Sequence, residues 1–304
     1  MWLISGTLPA PLAELPLEYG VCQPVGATSG GGMRLRLPSG REVPVERGTA
    51  CLVAATTLAC HEAGLEPPCA CLAGDTGKGD GSRAIYAHLC DALNAIPAGD
   101  APHELAVCRG MTFHYLFPDV DWHNRVLMTA QAHAPQAQLV ADAGFMYVAK
   151  MSGYADAYTL FTPDVGEMAF LADEKAPHPF YTRGFLLAEE ADIPELARRA
   201  AAHGNCPRHL LVKGATDYII RDATVLEAIS SPGEPAMEAV GGTGDLVTAL
   251  VTVGLMAGLP PVRAARNAAL AARHIAHAAR PTPATHIDEL LPHITAFVPT
   301  LLRD

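Results

Sequence analysis

The residues best suited to chemistry lie in a glycine-rich turn, Gly-Gly-Thr-Gly-Asp at 241–245, ahead of an uncharged apolar segment. Three glycines within four residues let the backbone turn tightly and approach a ligand closely. A helix that begins here would aim unpaired N–H groups and the positive end of its dipole at an anion. The turn is therefore a candidate phosphate site. Asp245 is either a base held beside that site or a helix cap.

A second candidate is the segment that follows a predicted strand at Tyr158–Phe161. Pro163 ends this strand, and Asp164 and Glu167 stand three residues apart at the start of the next predicted helix. Carboxylates at this position complement the helix dipole. The same residue types can hold Mg²⁺, often through water, beside nucleotide phosphates. From the residues alone, both interpretations stay open.

Two further segments carry basic residues after predicted strands. The apolar strand His209–Lys213 ends in Lys213 and is followed by Gly214, which permits close approach of the backbone to a ligand. The loop 74–83 follows a strand at Cys69–Ala73, and its spacing does not fit a Walker A motif. It is either a mobile loop that caps the next helix or a substrate-side flap whose Lys78 and Arg83 face an anionic ligand.

The elements that must position these residues alternate between strand and helix from Cys69 onward. Such alternation predicts an α/β fold with a mainly parallel central sheet and helices on both faces. In that architecture ligands bind beyond the carboxyl ends of the strands, where all the candidate residues fall. Among the predicted elements are a strand at Glu104–Cys108, a helix at Trp122–His133 and a helix at Ile287–Leu302.

The N-terminal part of the chain has a different pattern. The first 32 residues are rich in Pro and Gly and are predicted to be irregular. Alternation at Met33–Leu37, a Pro-Ser-Gly turn and Glu42–Val45 predict a hairpin. Thr49 is predicted to cap the next helix, and Gly64 suits its C-terminal end. We expect one domain over residues 1–304, with the irregular segment and hairpin at about 1–48.

Composition excludes several classes of function. The chain has 304 residues, half of them apolar, and 21 basic against 32 acidic groups give a net charge of −11. Without a Lys/Arg run, neither nucleic acid nor a membrane is an expected partner. The uncharged segment Leu246–Val262 is short for a membrane span and predicts a buried helix. Eight cysteines without a Cys-x-x-Cys pair, and no basic secretory start, predict reduced thiols in the cytoplasm.

Three motifs in order, Thr-Pro-x-x-x-Glu-Met, Val-Lys-Gly and Gly-x-Gly-Asp before an apolar helix, resemble the ribokinase-like superfamily. Within it, the chain is most similar to the ADP/ATP-dependent NAD(P)H-hydrate dehydratases over roughly Leu139–Ala279. The resemblance implies a three-layer fold, ATP or ADP and Mg²⁺ as cofactors, and a small-molecule substrate. A homo-oligomer is a possible assembly.

The resemblance also implies roles for individual residues. Asp245 corresponds to the base that deprotonates the attacking hydroxyl, and Glu167 to the residue that organises Mg²⁺. The remaining implied or candidate residues are the anion hole Gly242, Thr243 and Gly244, the nucleotide-binding Lys213 and Gly214, and the substrate-binding Asp142, Asp164, Lys78 and Arg83. The chain departs from the family at Asp164, where the dehydratases have His and sugar kinases have Asn.

The implied reaction begins with phosphorylation of a hydroxyl group. In a dehydratase, the hydroxyl belongs to the hydrated nicotinamide ring, and phosphate then leaves to restore NAD(P)H. In a kinase of the same superfamily, the phosphate stays on a sugar or another alcohol. A third alternative is a nucleotide-binding sensor without catalysis, which the presence of Asp245 and Glu167 disfavours.

Overall fold

The structure, a computed structural model, describes residues 1–26, 32–96, 107–176 and 192–303. The strands in these ranges, numbered along the chain, are β1 Trp2–Leu8, β2 Glu18–Val21, β3 Gln23–Val25, β4 Arg34–Arg36, β5 Glu42–Pro44, β6 Cys69–Gly74, β7 Gly110–His114, β8 Gln138–Ala141, β9 Leu160–Phe161, β10 His209–Val212, β11 Asp217–Arg221 and β12 Thr224–Ile229. Nine of them form one sheet in the order β12-β11-β10-β9-β8-β7-β1-β6-β2, and β3, β4 and β5 form a small second sheet.

The central part of the large sheet is parallel. Strands β6, β1, β7, β8, β9 and β10 run in the same direction, whereas β2, β11 and β12 are antiparallel to their neighbours. The expected mainly parallel sheet is thereby confirmed. All the parallel strands end at the same edge, so the residues that follow them come together there.

Helices cover both faces of the sheet. They are α1 Gly48–Ala63, α2 Asp80–Asn94, α3 Val120–His133, α4 Ala143–Met151, α5 Val165–Ala172, α6 Ile193–Ala202, α7 Thr243–Met256, α8 Pro261–Ala279, α9 Ile287–Leu290 and α10 Ile294–Leu301. One hydrophobic core lies between the sheet and α1, α7, α8 and α10. A second core lies between the opposite face and α2 to α6. This confirms the three-layer α/β fold, with helices on both faces of a mainly parallel sheet.

The prediction that the first 32 residues are irregular is wrong. Residues Trp2–Leu8 form β1, a central strand of the sheet that pairs with β6 on one side and β7 on the other. A parallel strand with helices on both faces is buried throughout and lacks the alternation that marks a half-buried strand. The Pro and Gly residues that suggested irregular structure mostly follow Leu8.

Other predicted elements are shifted or divided. Residues 104–106 of the predicted strand Glu104–Cys108 lie outside the described residues, and the observed strand is β7, at Gly110–His114. Gly110 is needed there because a Cβ would lie 2.3 Å from the Trp2 ring. The predicted helix Ile287–Leu302 is divided into α9 and α10 by a 3-10 turn at Leu291–His293.

The N-terminal hairpin and the end of α1 agree with prediction. Strands β4 and β5 pair as expected, and Gly64 ends α1 with a left-handed φ of 65°. Thr49 is not the cap of α1: the helix begins at Gly48, Arg47 occupies the N-cap position without a capping side-chain hydrogen bond, and the buried Thr49 hydroxyl is bound to His114. None of the eight cysteines, which all lie within the described ranges, forms a disulfide. Within the described ranges, no helix has the length and apolar character needed to span a bilayer.

Candidate active site

A cavity of about 610 Å³ opens at the carboxyl edge of the parallel strands. Its walls come from the ends of β7, β8, β9 and β10, from the start of α7 and from one side of α8. Among the predicted site residues, the lining includes Asp142, Asp164, Glu167, Lys213, Gly214, Gly242, Thr243, Gly244 and Asp245. A cavity of this volume, lined by both charged and apolar residues, is typical of a site for one small-molecule ligand. Residues from four separate motifs therefore meet in one place.

The glycine-rich turn forms the start of α7 as predicted. Gly242 precedes the first helical residue with a φ of 95°, a conformation that favours glycine. A Cβ at Gly242 would lie 3.1 Å from the Ile287 side chain, so the turn also needs a residue without one. No side chain caps this helix end. Its first N–H groups thus remain available to an anion in the cavity.

Asp245 does not act as the helix cap. Its Oδ1 accepts a hydrogen bond from Nε2 of His114 at 2.9 Å, and its Oδ2 accepts one from the backbone N–H of Gly48 at 2.5 Å. Burial opposes ionisation of this carboxyl, but His114 and the Gly48 amide outweigh that effect and hold its pKa below the usual value. Asp245 is thus an ionised, largely buried carboxylate beside the turn at Gly242.

His114 was not among the residues predicted from the sequence. It is the last residue of β7, is fully buried, and binds Asp245 through Nε2 and the Thr49 hydroxyl through Nδ1 at 3.0 Å. The signal that could have found it was a histidine at the end of a parallel strand. That signal was lost because the strand was predicted at Glu104–Cys108.

Asp142 and Lys213 form an ion pair under the turn. Lys213 Nζ donates to both Asp142 oxygens at 2.9 Å, and the Thr248 hydroxyl donates to Oδ2 at 2.6 Å. Burial alone would lower the pKa of Lys213, but the carboxylates of Asp142 and Glu167 outweigh it and raise that pKa. The ammonium also lies against Gly244, where a Cβ would be 3.3 Å from Nζ. Lys213 therefore bridges Asp142 and the turn.

Asp142, Asp245 and His114 place ligand-type atoms within 4.8 Å of one another, a spacing that a metal ion could use. Lys213 already supplies the positive charge next to Asp142, at 2.9 Å. We therefore interpret this group as an ion-pair and hydrogen-bond network.

Asp164 and Glu167 form a reciprocal cap at the start of α5. Asp164 Oδ1 accepts from the Glu167 N–H at 2.7 Å, while Glu167 Oε2 accepts from the Asp164 N–H at 2.8 Å. The Tyr147 hydroxyl donates to Glu167 Oε1 at 2.7 Å. Burial, together with the charges of Asp164 and Asp142, raises the pKa of Glu167 to about 8. The predicted capping role is thus present, in a region with excess negative charge.

Gly214 begins a turn that an arginine of α8 holds in place. Its N–H donates to Asp217 Oδ1 at 3.1 Å, and Arg273 donates to Asp217 Oδ2 at 2.8 Å and to the Gly214 carbonyl at 3.1 Å. Arg273 also lines the cavity. Arg273 was not predicted from the sequence, because a single arginine within a long amphipathic helix has no distinguishing pattern.

Lys78 and Arg83 do not line this cavity. The loop that carries them is organised by Asp75, whose Oδ1 accepts hydrogen bonds from three successive backbone N–H groups at 77–79. Arg83 donates to Asp119 at 3.3 Å and to the Lys78 carbonyl at 3.2 Å. Contact of these two residues with substrate therefore stays a prediction.

Comparisons with known proteins agree with this fold. A family model described as NAD(P)H-hydrate dehydratase, of the carbohydrate kinase group, matches residues 120–295. The uncharacterized protein MJ1337 of Methanocaldococcus jannaschii is 35% identical over 231 residues, which are 76% of this chain and 90% of that protein.

Solved structures with a similar fold include pyridoxal kinase from Entamoeba histolytica, with a TM-score of 0.52 and 11% identity over 96% of this chain and 94% of that one. Phosphofructokinase-2 from Escherichia coli, in complex with potassium, has a TM-score of 0.51 and 12% identity over 98% and 99% of the two chains. Identities this low show a shared fold only. From the family match and the shared architecture together, the chain belongs to the NAD(P)H-hydrate dehydratase family of ribokinase-like carbohydrate kinases.

Proposed function

We propose that this chain transfers a phosphoryl group from ATP or ADP to a hydroxyl group of a small molecule, with Asp245 as the base. The observation that carries the proposal is the ionised Asp245 carboxylate, held by two hydrogen bonds beside an uncapped helix start. The helix start offers N–H groups to the transferred phosphoryl, and the carboxylate accepts the hydroxyl proton. Phosphoryl transfer needs mainly such positioning and charge stabilisation.

The nucleotide side of the site is assigned to Lys213 and Gly214. Because Lys213 Nζ lies against Gly244, its charge faces the place where a phosphoryl group would meet the start of α7. The turn that begins at Gly214 is fixed through Asp217 and Arg273, so that part of the wall is preorganised before nucleotide binds. Preorganised charge reduces the cost of binding and stabilises the transition state.

Mg²⁺ fits the carboxylates at the start of α5. Asp142, Asp164 and Glu167 lie close enough to raise the pKa of Glu167, and Lys213 compensates only part of their negative charge. Since both Glu167 oxygens already accept hydrogen bonds, Asp164 and Glu167 would hold the ion through its water shell. When bound, Mg²⁺ neutralises charge on the nucleotide phosphates.

Glu167→Gln tests this assignment. The variant should need more Mg²⁺ for half-maximal activity, because the Glu167 carboxyl can release its proton when Mg²⁺ binds nearby, whereas an amide cannot become negatively charged. Its stability should also respond differently to pH. The folded state keeps a proton on Glu167 up to about pH 8, whereas an ordinary glutamate loses it near 4.5, so the wild type loses stability as pH rises between these values.

The Gln variant should lack this fall. Activity titrated with MgCl₂ measures the first effect, and thermal unfolding between about pH 4.5 and pH 8 measures the second. If the metal titration and the pH profile are both unchanged, Glu167 is a helix cap only.

We propose hydrated NAD(P)H as the first acceptor to test, on the basis of the family to which the chain belongs. Phosphorylation of the ring hydroxyl, followed by loss of phosphate and of a proton from the neighbouring ring carbon, would re-form the ring double bond and restore the reduced cofactor. The assay combines hydrated NADH with ATP or ADP and follows the absorbance of NADH. Recovery of that absorbance supports a dehydratase. Nucleotide turnover with an alcohol library, and no recovery, supports a kinase instead.

Asp164 is the observation that favours the kinase alternative, because the dehydratases have His at this position. Asp164→His should weaken Mg²⁺ binding, since it removes one of the carboxylates from the start of α5. If the chain is a dehydratase, the same change should raise activity on hydrated NADH. Asp164→Asn removes the same negative charge but keeps the cap, because its amide oxygen can still accept the Glu167 N–H, and it should keep kinase activity if the chain is a kinase. Unchanged Mg²⁺ affinity and substrate preference in Asp164→His would limit Asp164 to capping.

A further inference from the structure

His114 makes more contacts than a histidine that simply fills the core would need. Its side chain is fully buried, and both ring nitrogens have a partner: Thr49 Oγ1 at 3.0 Å and Asp245 Oδ1 at 2.9 Å. The three residues come from three elements, α1, β7 and α7. They form a continuous line of hydrogen bonds that ends on the carboxylate at the cavity wall.

We propose that His114, fixed by Thr49, is a positioning residue that holds the Asp245 carboxylate in the orientation needed to accept a proton. This inference rests on the proposed function, in which Asp245 is the base. The second oxygen of Asp245 accepts the Gly48 N–H, so both oxygens are fixed by donors outside α7. A lone carboxylate has a broad, nearly two-fold preference about its last torsion angle, and these two donors remove that freedom.

The tautomer of His114 follows from its partners. An ionised Asp245 carboxylate can only accept, so the hydrogen must be on Nε2 of the ring. In the neutral imidazole Nδ1 is then an acceptor, and the Thr49 hydroxyl donates to it. Asp142 Oδ2 is 3.8 Å from Nε2, beyond hydrogen-bond distance, and is compensated by Lys213. The Nε2 hydrogen is therefore directed to Asp245.

The backbone around this line of residues is closely fitted to it. A Cβ at Gly6 would lie 2.4 Å from the His114 carbonyl oxygen and 2.7 Å from the Thr49 side chain. The Tyr115 and His114 rings pack edge to face, with their centroids 4.4 Å apart. Tyr115 has a positive φ of 49°, a backbone conformation that is costly for a bulky residue. These contacts restrain the imidazole, so it can impose a fixed direction on the carboxylate.

His114→Asn is the first test, with His123→Asn as the matched control. Both histidines are fully buried, but His123 binds the Tyr158 hydroxyl on the other face of the sheet. Both variants should lose stability in urea unfolding. Only His114→Asn should lower kcat, by about 10-fold or more, with nucleotide Kd nearly unchanged, because small misplacements of a catalytic group are costly.

Thr49 provides a second pair of variants if the histidine changes prevent folding. Thr49→Val removes the hydroxyl at similar volume, and Thr49→Ser keeps it. Thr49→Val should lower kcat several-fold, and Thr49→Ser should restore most of the loss. Thr56→Val is the control, since Thr56 is a buried threonine of the same helix whose hydroxyl donates only to the Leu52 carbonyl.

A direct readout does not depend on activity. The Gly48 amide proton donates to Asp245, so its NMR chemical shift reports the orientation of that carboxylate. The signal should move in His114→Asn and Thr49→Val but not in His123→Asn or Thr56→Val. An unmoved signal in the first two variants, or wild-type kcat in both, overturns the inference. A moved signal together with an inactive wild type would overturn the proposed function instead and leave the positioning contact in place.

Discussion

Asp245→Asn is expected to lower the turnover number by about 10²-fold or more, with little change in nucleotide affinity. An amide cannot accept the hydroxyl proton at neutral pH, so the chemical step loses its base. The start of α7 and the Lys213 charge remain in place to bind phosphate. The loss should therefore appear in kcat rather than in the Kd of the nucleotide.

The measurement is steady-state turnover at saturating acceptor, together with nucleotide binding by calorimetry. The matched control is Asp288→Asn, because Asp288 also accepts a backbone N–H, from Met33 at 2.8 Å, but does not line the cavity. The control should keep wild-type turnover. Turnover near the wild-type rate in Asp245→Asn would contradict the assignment of the base and leave Asp245 as a link between α7 and α1.

The parts of this site that could be predicted from sequence are those encoded locally. The turn before Asp245 and the reciprocal cap of Asp164 and Glu167 depend on residues within a few positions of one another, so their spacing is visible along the chain. Lys213 and Asp142 follow apolar strands, and the parallel-sheet rule places such residues at one edge. That rule predicted proximity, and the structure adds the direct hydrogen bonds between them.

The parts that could not be predicted depend on distant segments. Gly48 and Asp245 are 197 positions apart, and His114 and Asp245 are 131 apart. His114 ends a strand that was predicted several residues too early in the chain, whereas Gly48 begins a helix that was predicted close to its observed place. Strand β1 was missed because a strand buried on both faces shows no alternation. Without β1 and β7 in position, nothing in the sequence directs His114 to the site.

Lys213→Met is expected to be the most destabilising single change in the site, at about 3 kcal/mol near neutral pH. The Asp142 and Lys213 side chains are only 3% and 12% exposed. Removing the ammonium leaves the buried Asp142 side chain without its ion-pair partner, with Thr248 and the Ala143 N–H as its remaining donors. Glu167 and Asp245 also lose a compensating charge, because Lys213 lowers the pKa of both.

The expected loss has a defined pH dependence. Without Lys213, the pKa values of Glu167 and Asp245 in the folded state rise, because Lys213 lowers both in the wild type, and the folded variant then holds more protons than the folded wild type. The variant should therefore recover stability as pH falls, whereas an effect of packing alone would be constant with pH. Urea unfolding of the variant and the wild type at several pH values, from acidic to neutral, shows whether the loss of stability changes with pH. Arg208→Met, which breaks an exposed ion pair with Asp222, is the control and should leave the unfolding midpoint unchanged.

A double variant separates the ion pair from the packing of the lysine stem. If the cost of Lys213→Met comes from an uncompensated carboxylate, adding Asp142→Asn should restore a large part of the lost stability, because the amide keeps the shape and removes the charge. The coupling between the two changes would then be strong. Additive losses would instead show that Lys213 stabilises the site through its contact with Gly244 and the start of α7, and that Asp142 is held mainly by Thr248 and its own helix.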